Sequence, residues 1–288
     1  MNWILFFTTH SHAAAIVIFF IGATAGSFLN VVVHRYPIML KREWHAECMA
    51  FLNKPLPEHT ADFNLFLPRS HCSHCKRTLP FWLNIPIFTY LVIGGRCAFC
   101  HEKISMRYLF VEIITAFLSV AVFLRFGITP QMGIILLLTW GLIALSFIDF
   151  ENHFLPDSIT YSLLWLGLFA STYSLFISPQ NAINGAIFGY LFLYAIAKGY
   201  ILLRKKEGMG LGDCKMLAII GAFVGATSLL SVILFSTLFA LIISFTLLFF
   251  KKIQYHKPIP FGPFIAIGGW LTIFAGPQLI ERIMLWPH

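Results

Sequence analysis

Charge is what this sequence has least of. Its 288 residues include 20 Lys and Arg and 12 Asp and Glu, 11% together, where a soluble domain carries about 25%. The apolar fraction is 58%, and there are 31 Phe. So few charges cannot clothe a water-facing surface, which excludes a soluble globular fold. The same composition excludes disorder, a collagen-like repeat and a secreted disulfide scaffold. No Lys or Arg precedes Arg35, so the basic start of a secretory signal peptide is missing. There is no internal repeat and no low-complexity tract. What remains is an all-α polytopic membrane protein, with the lipid bilayer as its solvent.

A span needs roughly 20 apolar residues. Hydropathy predicts eight transmembrane helices, at 13–33, 108–124, 133–147, 158–177, 182–203, 216–230, 231–250 and 264–285. The boundary between the sixth and seventh rests only on Gly225-Ala226-Thr227-Ser228. The net charge of +8 reads as topology rather than as a footprint for nucleic acid, because cytoplasmic loops collect Lys and Arg. With eight spans, 17 of the 20 Lys and Arg fall on one side, two on the other, and Lys198 near the inner end of its span. Both termini are then expected outside. The chain divides into a first helix at 1–33, a polar, proline-punctuated cytoplasmic insert at 34–107, and a multi-helix membrane domain at 108–288.

The insert holds Cys72-Ser73-His74-Cys75 and Cys97-Ala98-Phe99-Cys100. Each pair can form a knuckle that presents two thiolates to one ion, and four thiolates make the tetrahedral shell that zinc accepts. With Cys72, Cys75, Cys97 and Cys100 all bound, the site is closed and its role structural. A reducing cytoplasm disfavours disulfides, and so small an insert gains from a metal staple. His74 and His101 stand beside the ligands as neighbours.

Acids are the second scarcity. There are four Asp in the chain, and an ionisable group at membrane depth is a functional candidate by default. Asp149 ends the third span and Asp213 opens the sixth, after Gly208-Met209-Gly210-Leu211-Gly212. The two spans run in opposite directions, so both carboxylates reach the cytoplasmic layer. Two close carboxylates share a proton. The charged member can take a proton from water while the neutral one donates to a peptide carbonyl. Each Asp also has a plainer reading: a helix N-cap for Asp213 and a solvated helix end for Asp149. Asp157, after Pro156, reads first as an N-cap. Glu112, inside the second span, either pairs with a cation or lines a site. The spaced glycines before Asp213 lack the surrounding strand–helix–strand unit of a nucleotide loop, and no Rossmann-type methyltransferase motif is visible.

At this point the motifs resemble a known family over nearly the whole chain: the bacterial type IV prepilin peptidases, bifunctional leader peptidases and N-methyltransferases that also serve type II secretion. Gly26-Ser27-Phe28-Leu29-Asn30-Val31-Val32 with Arg35 and Pro37 resembles the family's N-terminal signature. Pro68-Arg69-Ser70-His71-Cys72, and Gly95-Arg96 before the second cysteine pair, resemble its zinc-bearing region. Arg107-Tyr108 with Glu112 is similar to the next signature. Ile148-Asp149 with Leu155-Pro156-Asp157 and Thr160, and Gly210-Leu211-Gly212-Asp213 with Lys215, resemble the two catalytic motifs. Pro260-Phe261-Gly262-Pro263-Phe264 is similar to the C-terminal signature. The resemblance implies that Asp149 and Asp213 are the catalytic pair of a GxGD-type aspartic membrane protease. Its clients would be type IV prepilins and pseudopilins with a short basic leader, a Gly at the cut and usually a Phe after it. It implies S-adenosylmethionine as methyl donor, with Asn30, Gly95 and Glu112 as candidate methyltransferase residues, and a place in the bacterial inner membrane. Archaeal preflagellin peptidases share the Asp motifs but lack the cysteine insert. A proton-coupled transporter, the competing use of intramembrane carboxylates, has no need of a zinc knuckle and would show paired inverted halves.

Overall fold

A computed structural model describes residues 11–55, 63–72, 74–206, 208–250 and 260–276. Its described residues form nine α-helices: α1 (Ser11–Phe51), α2 (Phe88–Val92), α3 (Met106–Phe126), α4 (Pro130–Asn152), α5 (Asp157–Thr172), α6 (Pro179–Arg204), α7 (Leu211–Val224), α8 (Leu229–Phe249) and α9 (Gly262–Ala275). Among these residues the only β-pairing is two isolated bridges, His71 with Thr78 and Arg96 with Lys103. The chain falls into two compact units, 1–132 and 133–288.

Each of the eight hydropathy peaks is a helix, but the helices are unequal. Five segments are long and apolar enough to cross a membrane: α1, α3, α4, α6 and Ala226–Phe249. The helices α5, α7 and α9 have 16, 14 and 14 described residues, short of the roughly 20 that span a bilayer unaided. The expected last span beyond residue 276 lies outside the described residues.

Two boundaries differ from the expectation. The first helix does not stop at 33. It continues through Pro37 to Phe51, because hydropathy marks where the bilayer ends, not where the helix does. Beyond the bilayer, Leu40, Lys41, Arg42, Glu43, Ala46, Glu47 and Ala50 are good helix formers in water. The sixth helix begins at Leu211, not 216, and ends at Gly225, which adopts φ 78°, ψ 168°. That conformation suits glycine, and a 3-10 turn at Ala226–Ser228 leads into α8.

In the first unit α1 packs along α3. Gly22 and Gly26, four apart on one face of α1, permit the approach. A Cβ at Gly22 would lie 2.6 Å from Ser119 Oγ, and one at Gly26 would lie 2.8 Å from the Glu112 Cα. In the second unit α6 packs on α7 by the same device, with Gly185 against Gly221 and Gly189 against the Leu217 backbone. Small residues let helix backbones close where lipid gives no hydrophobic drive. The result wraps α7: Met216, Leu217, Ile219 and Ile220 are almost fully buried, and α5, α6 and α9 all pack on this helix.

Candidate active site and metal centre

The central position of α7 decides where Asp213 stands. Gly210 takes the N-cap position and Asp213 is the third helical residue, 8% exposed, with no capping hydrogen bond from any side chain at that end. The N-cap reading of Asp213 is therefore not what the structure shows. Asp149 lies in the last turn of α4, 6% exposed, which is equally unlike a solvated helix end.

Both carboxylates converge on one backbone position. A Cβ at Gly262 would fall 2.5 Å from Asp149 Oδ2 and 3.6 Å from Asp213 Oδ1. The Gly262 amide interacts with both carboxylates. Gly262 is the first residue of α9, so the partial positive charge of a helix N-terminus is placed at the pair. Even so, Asp149 Oδ2 is buried without a hydrogen-bond partner among the described residues. A buried acceptor left unsatisfied is costly. Here it marks a place for a proton, a water or a substrate group. Gly262 belongs to the segment that resembles the C-terminal signature, but sequence alone assigns it no role at the acids.

The two Asp motifs also touch each other elsewhere. A Cβ on Gly212 would meet Leu155 Cδ1 at 2.8 Å, so the loop before α5 rests on the glycine turn before Asp213. Asp157 is not the N-cap of α5. Pro156 holds that position, and Asp157 is the first helical residue. Its carboxylate forms an ion pair with Lys215 of α7, whose ammonium also stands 5.2 Å from the ring of Tyr161. The second unit also holds an apolar cavity of about 180 Å³, lined by residues including Phe192, Ile196, Leu217, Phe261 and Ile265. Leu217 follows Asp213 by one turn of α7 and Ile265 follows Gly262 by three residues of α9, so the cavity is lined from the same helix faces that carry Asp213 and Gly262.

In the first unit the four cysteines come together. Their sulfur atoms all lie within 4.8 Å of one another, and Cys72 Sγ stands 3.7 Å from Cys100 Sγ. Four sulfurs about 2.3 Å from a tetrahedral metal are roughly 3.8 Å apart, so the cluster fits such an ion. The knuckles repeat each other. The amides of Lys76 and His101 donate to the carbonyls of Cys72 and Cys97 at 3.0 and 2.9 Å. Cys72 and Cys97 in turn donate to Arg77 and Glu102 at 3.0 and 2.8 Å. Lys76 and His101 adopt φ 58° and 57°, closing the same tight turn twice. The backbone N–H groups of Cys75 and His74 hold the Cys72 thiol down to about 6. Cys100 is pushed up to about 11 by burial and by the neighbouring sulfurs, against the Glu102 amide. Four sulfurs this close can surround one cation. The cluster fits a four-cysteine structural metal site, and His74 and His101 are absent from it.

The methyltransferase candidates are distributed unevenly. Asn30 and Glu112 both lie along the α1–α3 contact: Asn30 Nδ2 donates to the Tyr108 carbonyl at 3.0 Å, and Glu112 Oε2 accepts from the Ile87 amide at 2.8 Å. Both side chains are buried, and Asn30 Oδ1 has no partner among the described residues. Gly95 stands against Tyr90, whose ring would lie 2.8 Å from a Cβ there, and adopts φ 66°.

Comparison with known proteins shows the family. Residues 20–126 match the bacterial peptidase A24 N-terminal domain, and residues 136–245 match the type IV leader peptidase family. The chain is 44% identical to a prepilin leader peptidase/N-methyltransferase of Stutzerimonas stutzeri, over 90% of each chain. It is 43% identical to one from Pseudomonas aeruginosa, over 97% of this chain and 96% of the relative. A relative of that name from Dichelobacter nodosus is 41% identical over 94% and 96%. No solved structure matches the chain. With two domain matches covering both units and relatives aligned nearly end to end, this chain, a multi-pass membrane protein, belongs to the type IV leader peptidase family.

Proposed function

We propose that the protein cleaves prepilins and pseudopilins after their basic leader and then N-methylates the residue exposed by the cut. Asp149 and Asp213 hold one proton between them. The ionised carboxylate takes a proton from the attacking water, and the protonated one donates to the scissile carbonyl. The supporting observation is the unsatisfied, buried Asp149 Oδ2 beside Gly262 and Asp213. The apolar side chain after the cut enters the cavity beside Leu217, Phe261 and Ile265. The basic leader stays in the cytoplasm, in keeping with the Lys and Arg distribution, and this places the acids at the inner face of the bacterial inner membrane.

The metal held by Cys72, Cys75, Cys97 and Cys100 is zinc, and its role is to fold the insert. S-adenosylmethionine supplies the methyl group when bound. The donor set along the α1–α3 contact suits that cofactor, because Glu112 carries a carboxylate for a sulfonium and Asn30 has a spare carbonyl oxygen. Gly95 keeps its neighbouring turn close against Tyr90. Cleavage precedes methylation: the nitrogen to be methylated is a peptide amide until the bond breaks, and only then a free amine with an unperturbed pKa of roughly 7.7–8.0. Mass spectrometry of a prepilin incubated with purified protein, with and without S-adenosylmethionine, tests both steps. An unchanged precursor would overturn the proposal.

A further inference from the structure

The insert contains a stretch that is built inside out. From Thr78 to Gly95 the sequence carries no Asp, Glu, Lys or Arg. Two of its polar side chains, Thr89 and Tyr90, turn inward, while Thr78 and Asn84 are exposed. Thr89 is buried and donates to the Trp82 carbonyl at 3.0 Å, and the Tyr90 hydroxyl donates to the Ile104 carbonyl at 3.2 Å. Its large apolar side chains turn outward: Phe81 is 79% exposed, Trp82 56%, Phe88 62%, Leu91 65% and Val92 66%. A segment that faces water does the opposite, and so dense an apolar patch marks an interaction surface.

The patch is tied to a membrane helix at a known height. The Ile87 amide donates to Glu112 at 2.8 Å, and Glu112 lies six residues beyond Met106, the start of α3. That is roughly 9 Å along the helix axis. The 21 residues of α3 reach about 32 Å, hardly more than the ~30 Å of hydrocarbon they must cross. Counted from the start of α3, Ile87 is therefore held up to roughly 9 Å below the headgroups, beside the outer part of the acyl chains, not out in the cytoplasm. The Ile87 backbone bends sharply to make this contact, with φ 62° and ψ −55°. Such a conformation is rare for a β-branched residue and persists where its surroundings impose it. Lys76 and Arg77 on one side and Arg96 on the other bracket the uncharged stretch, the pattern that suits anionic headgroups.

We infer that residues 81–92 form an interfacial foot that lies in the bilayer surface, with Phe81, Trp82, Phe88, Leu91 and Val92 inserted among the acyl chains. The occupant of the patch is lipid. The foot suspends the metal knuckles at the membrane face, and Trp and Phe at this level act as interfacial anchors. This inference rests on α3 spanning the bilayer and is independent of the peptidase and methyltransferase roles.

The test is fluorescence of the full chain, one copy per lipid nanodisc. Trp82→Phe leaves six of the seven Trp in place, so the wild-type spectrum minus the variant isolates Trp82. The difference emission should be blue-shifted. It should lose most of its intensity in lipid brominated near the headgroup end of the acyl chain, and less in lipid brominated near the methyl end. Phe88→Trp in the Trp82→Phe background should behave alike, which guards against a local effect at one position. A water-like difference spectrum quenched by acrylamide but not by brominated lipid would overturn the inference. So would a blue-shifted signal that bromine leaves untouched, because that would place protein over the patch.

Discussion

Lys215, two residues after Asp213, reaches the carboxylate of Asp157 at the start of α5. Together with Gly212 against Leu155, this pair joins the two Asp motifs at the point where the glycine turn enters α7. The side chain of Asp157 is 58% exposed and that of Lys215 21%, and an ion pair in such surroundings contributes only about 0–1 kcal/mol. The pair fastens the start of α7 to the start of α5. Asp157→Asn and Lys215→Met should each lower kcat/KM by no more than about tenfold. The exchange Asp157→Lys with Lys215→Asp should recover part of that loss. Kinetics on a prepilin peptide check this, and a complete loss with Asp157→Asn would make it a catalytic group.

Asp149→Asn and Asp213→Asn should each lower cleavage by about 10²–10⁴-fold, and the double variant should be little worse than either, because the pair works as one unit. Membrane insertion should be unchanged. Gly262→Ala should do similar damage without touching a carboxyl group, since its Cβ would stand 2.5 Å from Asp149 Oδ2. Full activity in Gly262→Ala would show that the carboxylates do not work in the observed arrangement.

Purified protein should carry about one zinc per chain. Cys72→Ser or Cys97→Ser should lower that content and open the insert to limited proteolysis between the knuckles. Active protein free of metal would refute the staple.

Asn30→Ala and Glu112→Gln should reduce methylation more than cleavage, since both residues belong to the first unit and the Asp pair to the second. Asp213→Asn should leave a full-length precursor unmethylated yet still methylate a pre-cut pilin. Mass spectrometry on both substrates decides it, and a methylated but uncut precursor would reverse the order.

Leu217→Trp or Ile265→Trp should fill the apolar cavity and raise KM for clients with Phe after the cut, with less effect where a smaller residue stands there. Equal KM for both clients would remove the cavity from substrate recognition.

Much of this was legible in one dimension. Scarcity of charge named the bilayer as solvent, and long apolar runs located the helices, because burial of the backbone in lipid leaves helix as the economical answer. The C-x2-C spacing of each knuckle marked the metal site, since two thiolates in one tight turn is a local property. The rarity of Asp drew attention to Asp149 and Asp213. Other features have no local signature. The passage of α1 beyond the bilayer to Phe51 was hidden because hydropathy reports solvent, not backbone conformation. Asp157 read as a cap because its partner, Lys215, lies 58 residues away.

The tertiary structure decided what meets what. The sequence by itself determined the solvent, the helices, the cysteine knuckles and which acids were candidates, all of which follow from composition or short-range spacing. Only packing brought α4, α7 and α9 together so that two carboxylates share Gly262. Only packing turned Thr89 and Tyr90 inward and left Phe81, Trp82 and Phe88 facing out at the height of Glu112. Both outcomes depend on contacts between distant segments, allowed where glycines let helices close to backbone contact, and a linear pattern carries no measure of such distances.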